Sequence, residues 1–96
     1  MNLSKQELSQ IPLQVFKVPI LTTLRLNNNQ LSSLPPEIGN LSNLELLYLD
    51  NNQLTKLPLE IEQLPKLISV TIHNNPIDIS KLSPRIMAFL IAQGRY

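Results

Sequence analysis

One segment of the chain recurs at a fixed spacing of 23 residues. Residues 21–29, LTTLRLNNN, return as residues 44–52, and the same spacing reaches forward to Asn75 and backward to Leu3. A constant period without insertions is typical of a solenoid, in which successive coils stack and bury a shared core. The matching positions of the two central copies are Leu21, Leu24, Leu26, Asn29, Leu31 and Leu34, which return as Leu44, Leu47, Leu49, Asn52, Leu54 and Leu57.

Each complete repeat contains a short segment in which leucine alternates with other residues. In the second copy, Leu47 and Leu49 lie two apart, so the pattern predicts a strand with one face turned inward. Equivalent strands joined by equal connections should be parallel neighbours with right-handed crossovers. Asn52 ends the strand, and its amide, which both donates and accepts, can satisfy main-chain groups where the chain leaves the sheet.

The return half of each coil begins with proline, at Pro12, Pro35 and Pro58. Proline fixes φ and lacks a donor, which suits the start of a helical turn. Ile38 and Leu41 lie three residues apart and therefore share one face of that turn. We predict one or two helical turns here, partly of the 3₁₀ type.

The two ends of the chain depart from the repeat. At the C-terminal end, Ser83 and Pro84 are typical of an N-cap and first helical position, Ile86, Met87, Phe89, Leu90 and Ile91 follow, and Gly94 suits a helix stop. We interpret this segment as a helical lid that closes the last coil, which indicates a natural C-terminus. The N-terminal repeat is degenerate and has no separate polar cap, so its own polar residues cover it, a second chain pairs with it, or the natural protein continues upstream.

We predict a single domain over residues 1–96. Its divisions are a degenerate repeat at 1–20, complete repeats at 21–43 and 44–66, a partial repeat at 67–82, and a C-terminal capping helix at 83–94.

The composition argues against several classes of function. Cysteine is absent, which removes disulfides, thiol nucleophiles and cysteine zinc sites. Lys and Arg number 8 against 7 Asp and Glu, with no block of one sign, so we expect no nucleic-acid partner. The N-terminal residues do not form a signal peptide, and no apolar run is long enough to span a bilayer. We therefore expect a soluble cytoplasmic protein with no membrane partner.

The pattern LxxLxLxxNxLxxLPxxIxxLxxL resembles the leucine-rich repeat family, in its 23-residue form, over nearly the whole chain. The resemblance implies an α/β fold: a short right-handed solenoid with parallel strands on a concave face, helical or 3₁₀ turns on the convex face, and a C-terminal capping helix. It also implies a non-catalytic module that binds other proteins through the concave face. The departures from the pattern are Gln6 in place of Asn, Ser80 in place of Leu, and the missing N-terminal cap.

The residues that flank the inward leucines should project from the concave face. Tyr and Arg are enriched at binding hot spots, and one apolar residue accompanies them here. The alternative is that Leu46 and Tyr48 merely cover their neighbours on an idle surface. The predicted partner-binding residues are Arg25, Asn27, Leu46, Tyr48, Asp50, Thr71 and His73.

Asp50 beside His73 suggests a general-base pair or two metal ligands. Catalysis would also need a nucleophile and a water-excluding pocket, and zinc would need a third ligand. We favour a cross-strand polar pair, and we predict no catalytic residue, cofactor or metal. The alternative function that remains open is structural, in which the uncapped N-terminal edge pairs with a second copy to form a homodimer.

Overall fold

The computed structural model describes residues 1–92, with side chains described as far as Ala88. Three strands alternate with four short 3₁₀ helices, and one α-helix ends the described chain. In chain order the elements are η1 (Leu13–Lys17), β1 (Thr23–Arg25), η2 (Pro36–Asn40), β2 (Leu46–Tyr48), η3 (Leu59–Gln63), β3 (Ser69–Thr71), η4 (Ile79–Lys81) and α1 (Pro84–Ala92).

The strands form one parallel sheet in the order β1-β2-β3, and the register follows the 23-residue period. Leu24 is opposite Leu47, which is opposite Val70, and these three side chains are 0–1% exposed. The predicted column of buried strand residues is therefore confirmed, as is the α/β solenoid fold.

A ladder of asparagine side chains ties neighbouring coils together at the ends of the strands. The Nδ2 group of Asn52 donates to the carbonyl oxygens of Leu49 in its own coil and Leu26 in the preceding coil, at 3.0 Å each. Its Oδ1 atom accepts from the amide of Leu31 at 3.0 Å. Asn29 and Asn75 make equivalent bonds, so the predicted structural role of this column is confirmed.

The return half of each repeat is a 3₁₀ helix. The sequence predicted helical turns here, but only partly of the 3₁₀ type. Pro12, Pro35 and Pro58 precede η1, η2 and η3, and their carbonyl oxygens accept the first helical hydrogen bonds at 3.1–3.2 Å. Ile38 and Leu41 are 0% exposed, which confirms that they share the inward face.

Helix α1 closes the C-terminal end of the described sheet by packing against β3. The Oγ atom of Ser83 accepts from the amide of Ile86 at 3.2 Å, which confirms Ser83 as the N-cap. The side chain of Ile86 is 1% exposed, and the guanidinium of Arg85 donates to the carbonyl oxygens of Glu62 and Leu64. The packing predicted for Phe89, Leu90 and Ile91 concerns side chains outside the described set. The helix stop predicted at Gly94 lies outside the described residues.

At the N-terminal end, residues 1–5 pair with β1 as a further, irregular strand. Asn2 forms a parallel bridge with Arg25, and the amides of Leu3 and Lys5 donate to the carbonyl oxygens of Arg25 and Asn27 at 2.8 and 3.1 Å. The side chain of Asn2 accepts from the Ser4 amide at 3.0 Å, and that of Gln6 donates to the Ser4 carbonyl at 3.2 Å. The polar main chain at this edge is thus partly satisfied by its own side chains.

Candidate functional site

The strand register gathers the predicted binding residues on one face of the sheet. Arg25, Tyr48 and Thr71 are directly opposite one another on successive strands, and Leu46 lies two residues before Tyr48 on the same face. Positions further along the same coils provide the remaining members. We refer to the set as the concave patch, which comprises Arg25, Asn27, Leu46, Tyr48, Asp50, Thr71 and His73.

The centre of the concave patch is a cation–π pair. The guanidinium carbon of Arg25 lies 4.6 Å from the centre of the Tyr48 ring, which is within the range of this interaction. Tyr48 is half-buried and Arg25 is exposed. Such a pair contributes about 0.5–1 kcal/mol at an exposed site, and it also restricts the conformations of the arginine side chain.

The carboxylate of Asp50 is fixed from two sides. Its Oδ2 atom accepts from the hydroxyl of Thr71 at 2.8 Å, and its Oδ1 atom accepts from the main-chain amide of His73 at 2.7 Å. The contact between Asp50 and His73 is therefore made by the backbone of His73. Hydrogen bonds to an ionised carboxylate are stronger than bonds between neutral groups, so Asp50 is held rigidly in place.

The members of the concave patch differ in exposure. Arg25 and His73 are exposed, and Asn27, Leu46, Tyr48 and Asp50 are half-buried. Thr71 departs from the expectation of a projecting side chain, since it is only 6% exposed and its hydroxyl is bonded to Asp50. Thr71 thus positions a neighbour and offers little surface of its own.

Sequence reasoning paired Asp50 with His73 and missed the bond to Thr71. The sequence places Asp50 and Thr71 on the same face of adjacent strands, with Thr71 two residues before His73. A search for a hydroxyl donor diagonal to the aspartate would have found it, because diagonal neighbours on a sheet lie within reach of polar side chains.

Two grooves in the described part of the chain lie away from the concave patch. One, with a volume of about 170 Å³, is lined by residues of η3, η4 and the start of α1, and by residues that precede η3 and η4, including Leu57 and Ile77. A second lies near Ile11 and Pro35. None of the seven patch residues lines either groove. Among the described residues, no three His, Asp or Glu side chains are grouped closely enough to hold a metal ion.

Parallel strands in a constant register, an asparagine ladder and short convex helices define a tandem-repeat solenoid. A family model described as Leucine Rich repeats (2 copies) matches the chain twice, at residues 21–60 and at residues 42–84. The two matches together span two thirds of the chain. The chain belongs to the leucine-rich repeat family, whose domains generally mediate protein–protein interaction. No curated protein sequence matched the chain. Within residues 1–92, no helix is long and apolar enough to cross a membrane.

Proposed function

We propose that this domain is a non-catalytic module that binds a protein partner through the concave patch. The observation that carries the proposal is the Arg25–Tyr48 pair, whose centres lie 4.6 Å apart on a sheet face that also presents Leu46. Tyr and Arg are the residue types most often found at binding hot spots, especially beside apolar surface.

The proposal is supported by the restraint that neighbouring groups place on the side chains of the concave patch. Immobilising a flexible side chain on binding costs about 0.5–1.5 kcal/mol, and a surface that is ordered beforehand avoids part of that cost. Arg25 is restrained by the Tyr48 ring, and Asp50 is restrained by Thr71 and by the amide of His73. The concave patch can therefore meet a partner with little rearrangement.

The size of the face limits the affinity. Neighbouring strands lie about 4.8 Å apart, so three strands and the paired N-terminal segment span less than about 20 Å. A standard interface buries about 800 Å² on each partner. We expect modest affinity, or an interface that also includes loops beside the sheet.

The test is affinity capture from an extract of the source cell. The three baits are the unmodified domain, Tyr48→Ala and Leu59→Ala. Tyr48→Ala removes the ring that supports Arg25 and should weaken capture about tenfold or more relative to the unmodified domain. Leu59→Ala is the control, because Leu59 is 75% exposed and lies on the convex side in η3. A partner that tolerates Tyr48→Ala and is lost with Leu59→Ala would contradict the proposal.

The second candidate function is a homodimer formed through the N-terminal edge. Met1 is 43% exposed there, and Leu3 and Leu8 are only partly buried, which favours coverage by a second copy. The side-chain bonds from Asn2 and Gln6 to Ser4 weigh against it, since they occupy polar groups that a pairing strand would need. Sedimentation at high protein concentration separates the two functions, and we expect a monomer.

A further inference from the structure

We infer that the partner reaches the concave patch with an acidic segment, one of whose Asp or Glu carboxylates binds the guanidinium of Arg25. The inference rests on the proposed function and adds the chemistry of the partner. It is argued from the pairing of the charged groups on this face.

The guanidinium of Arg25 has one partner on its face and its donors remain available. The Tyr48 ring occupies the planar side, at 4.6 Å from the guanidinium carbon. No carboxylate among the described residues lies within ion-pair distance of Arg25. A guanidinium carries five N–H donors in a planar fork that matches the two oxygens of a carboxylate, and stacking on an aromatic ring leaves that fork free.

The acidic residue of the concave patch does not compete for Arg25. Both oxygens of Asp50 already accept hydrogen bonds, from the Thr71 hydroxyl and from the His73 amide. Lys5 is exposed at the N-terminal edge of the sheet, where its main-chain amide donates to the carbonyl oxygen of Asn27. The group that this face offers to an anion is therefore the guanidinium of Arg25, which has no ion-pair partner among the described residues.

The rest of the patch indicates that the anion belongs to a protein segment. Leu46 and Tyr48 lie on the same face of β2 and are both half-buried, so a partner with an aliphatic side chain beside its carboxylate would cover them. A nucleic acid would need many phosphate contacts, and a chain of net charge +1 does not provide them.

The test begins with a display library of random dodecapeptides selected on the immobilised domain. The best peptide is then synthesised in its selected form and with each Glu or Asp replaced by Gln or Asn. Binding of both forms is measured with the unmodified domain, with Arg25→Gln, with Tyr48→Phe and with Tyr48→Ala. Tyr48→Phe is the matched control, because it keeps an aromatic ring beneath the guanidinium.

We expect the acidic peptide to bind the unmodified domain and Tyr48→Phe about tenfold more tightly than its amide form, as a charge-assisted hydrogen bond implies. With Arg25→Gln the two forms should bind equally. A cooperative unfolding transition in each of the four proteins establishes that they are folded.

The inference is overturned if the selected peptides lack acidic residues, or if the acidic form keeps its advantage with Arg25→Gln. The proposed function fails in a different way, when the selected peptides bind Tyr48→Ala as tightly as the unmodified domain. Peptides that lose binding to Tyr48→Ala but carry no carboxylate would therefore overturn the inference alone.

Discussion

At the scale of single residues, the side chains of the asparagine ladder make more hydrogen bonds to the main chain than the other polar side chains described. Asn52 is 7% exposed, and its amide bonds to three main-chain oxygens and one main-chain amide in two coils. A buried main-chain group that loses its partner costs about 1–3 kcal/mol. The coils therefore require an asparagine at this position in order to stack.

Replacing Asn52 with alanine should lower the free energy of unfolding by about 3 kcal/mol or more, because several buried main-chain groups lose their partners at once. Gln53→Ala changes the adjacent, exposed side chain and should lie within about 0.5 kcal/mol of the unmodified domain. Urea denaturation measures both values. Similar losses for the two variants would show that the ladder does not hold the coils together.

Asp78 links the residue scale to pH. The side-chain hydroxyl and then the amide of Ser80 donate to its carboxylate, and these bonds, with a smaller contribution from Lys81, hold the pKa of Asp78 below its ordinary value. A carboxyl group with a lowered pKa in the folded state stabilises the protein above its unfolded pKa. That stabilisation is lost as the pH falls through the folded pKa.

We therefore expect the unmodified domain to lose stability as the pH falls below about 4, and Asp78→Asn to lose less over the same range. The measurement is the urea midpoint of both proteins at neutral pH and in acid. Ser80→Ala, measured in the same way, removes the hydroxyl donor and should also reduce the acid sensitivity. An acid loss that is the same in all three proteins would refute this role for Asp78.

At the scale of elements, the N-terminal edge is the part of the solenoid that most needs protection. An unpaired strand edge can recruit another chain, and natural proteins block such edges with polar side chains and twisted backbone. Here Asn2 and Gln6 bond to Ser4, and Lys5 and Glu7 both have a φ of 58°. This backbone cannot continue as a regular strand, so the edge is short as well as partly satisfied.

Asn2→Ala should increase self-association, because it releases the Ser4 amide and hydroxyl that Asn2 now binds. We expect the variant to sediment faster than the unmodified domain at high concentration. Gln10→Ala, which changes an exposed polar residue of the same repeat, is the control and should sediment as the unmodified domain does. If Asn2→Ala also stays monomeric at that concentration, the side-chain bonds are not what keeps the edge unpaired.

At the scale of the whole molecule, each coil contacts its neighbours along the chain and both ends of the described sheet are covered. The Cα radius of gyration is 12.1 Å, and the core is one continuous cluster of hydrophobic side chains that runs from Ile11 to Ile86. Stability in such a molecule depends on the interfaces between adjacent coils as much as on the coils themselves. A substitution in the sheet should therefore affect two interfaces at once.

The fold could be predicted from the sequence because one period determines both the strand register and the buried columns. Leu24, Leu47 and Val70 stack for that reason. The burial of Thr71 could not be predicted, since it depends on side-chain rotamers. The register makes Thr71 a candidate donor to Asp50, 21 residues away, but does not determine that the bond forms. The 4.6 Å stacking of Arg25 on Tyr48 is the same kind of detail, although their adjacency followed from the register.

The central claim is that alternate residues of each strand have two roles, with one set holding the coils together and the other projecting from the concave face. The free energy of unfolding of Leu24→Ala and Arg25→Ala, measured by urea denaturation, tests it most directly, because these neighbours in β1 belong to opposite sets. We predict a loss of about 3 kcal/mol for Leu24→Ala, which is 0% exposed, and of less than about 1 kcal/mol for Arg25→Ala. Equal losses for the two variants would contradict the claim.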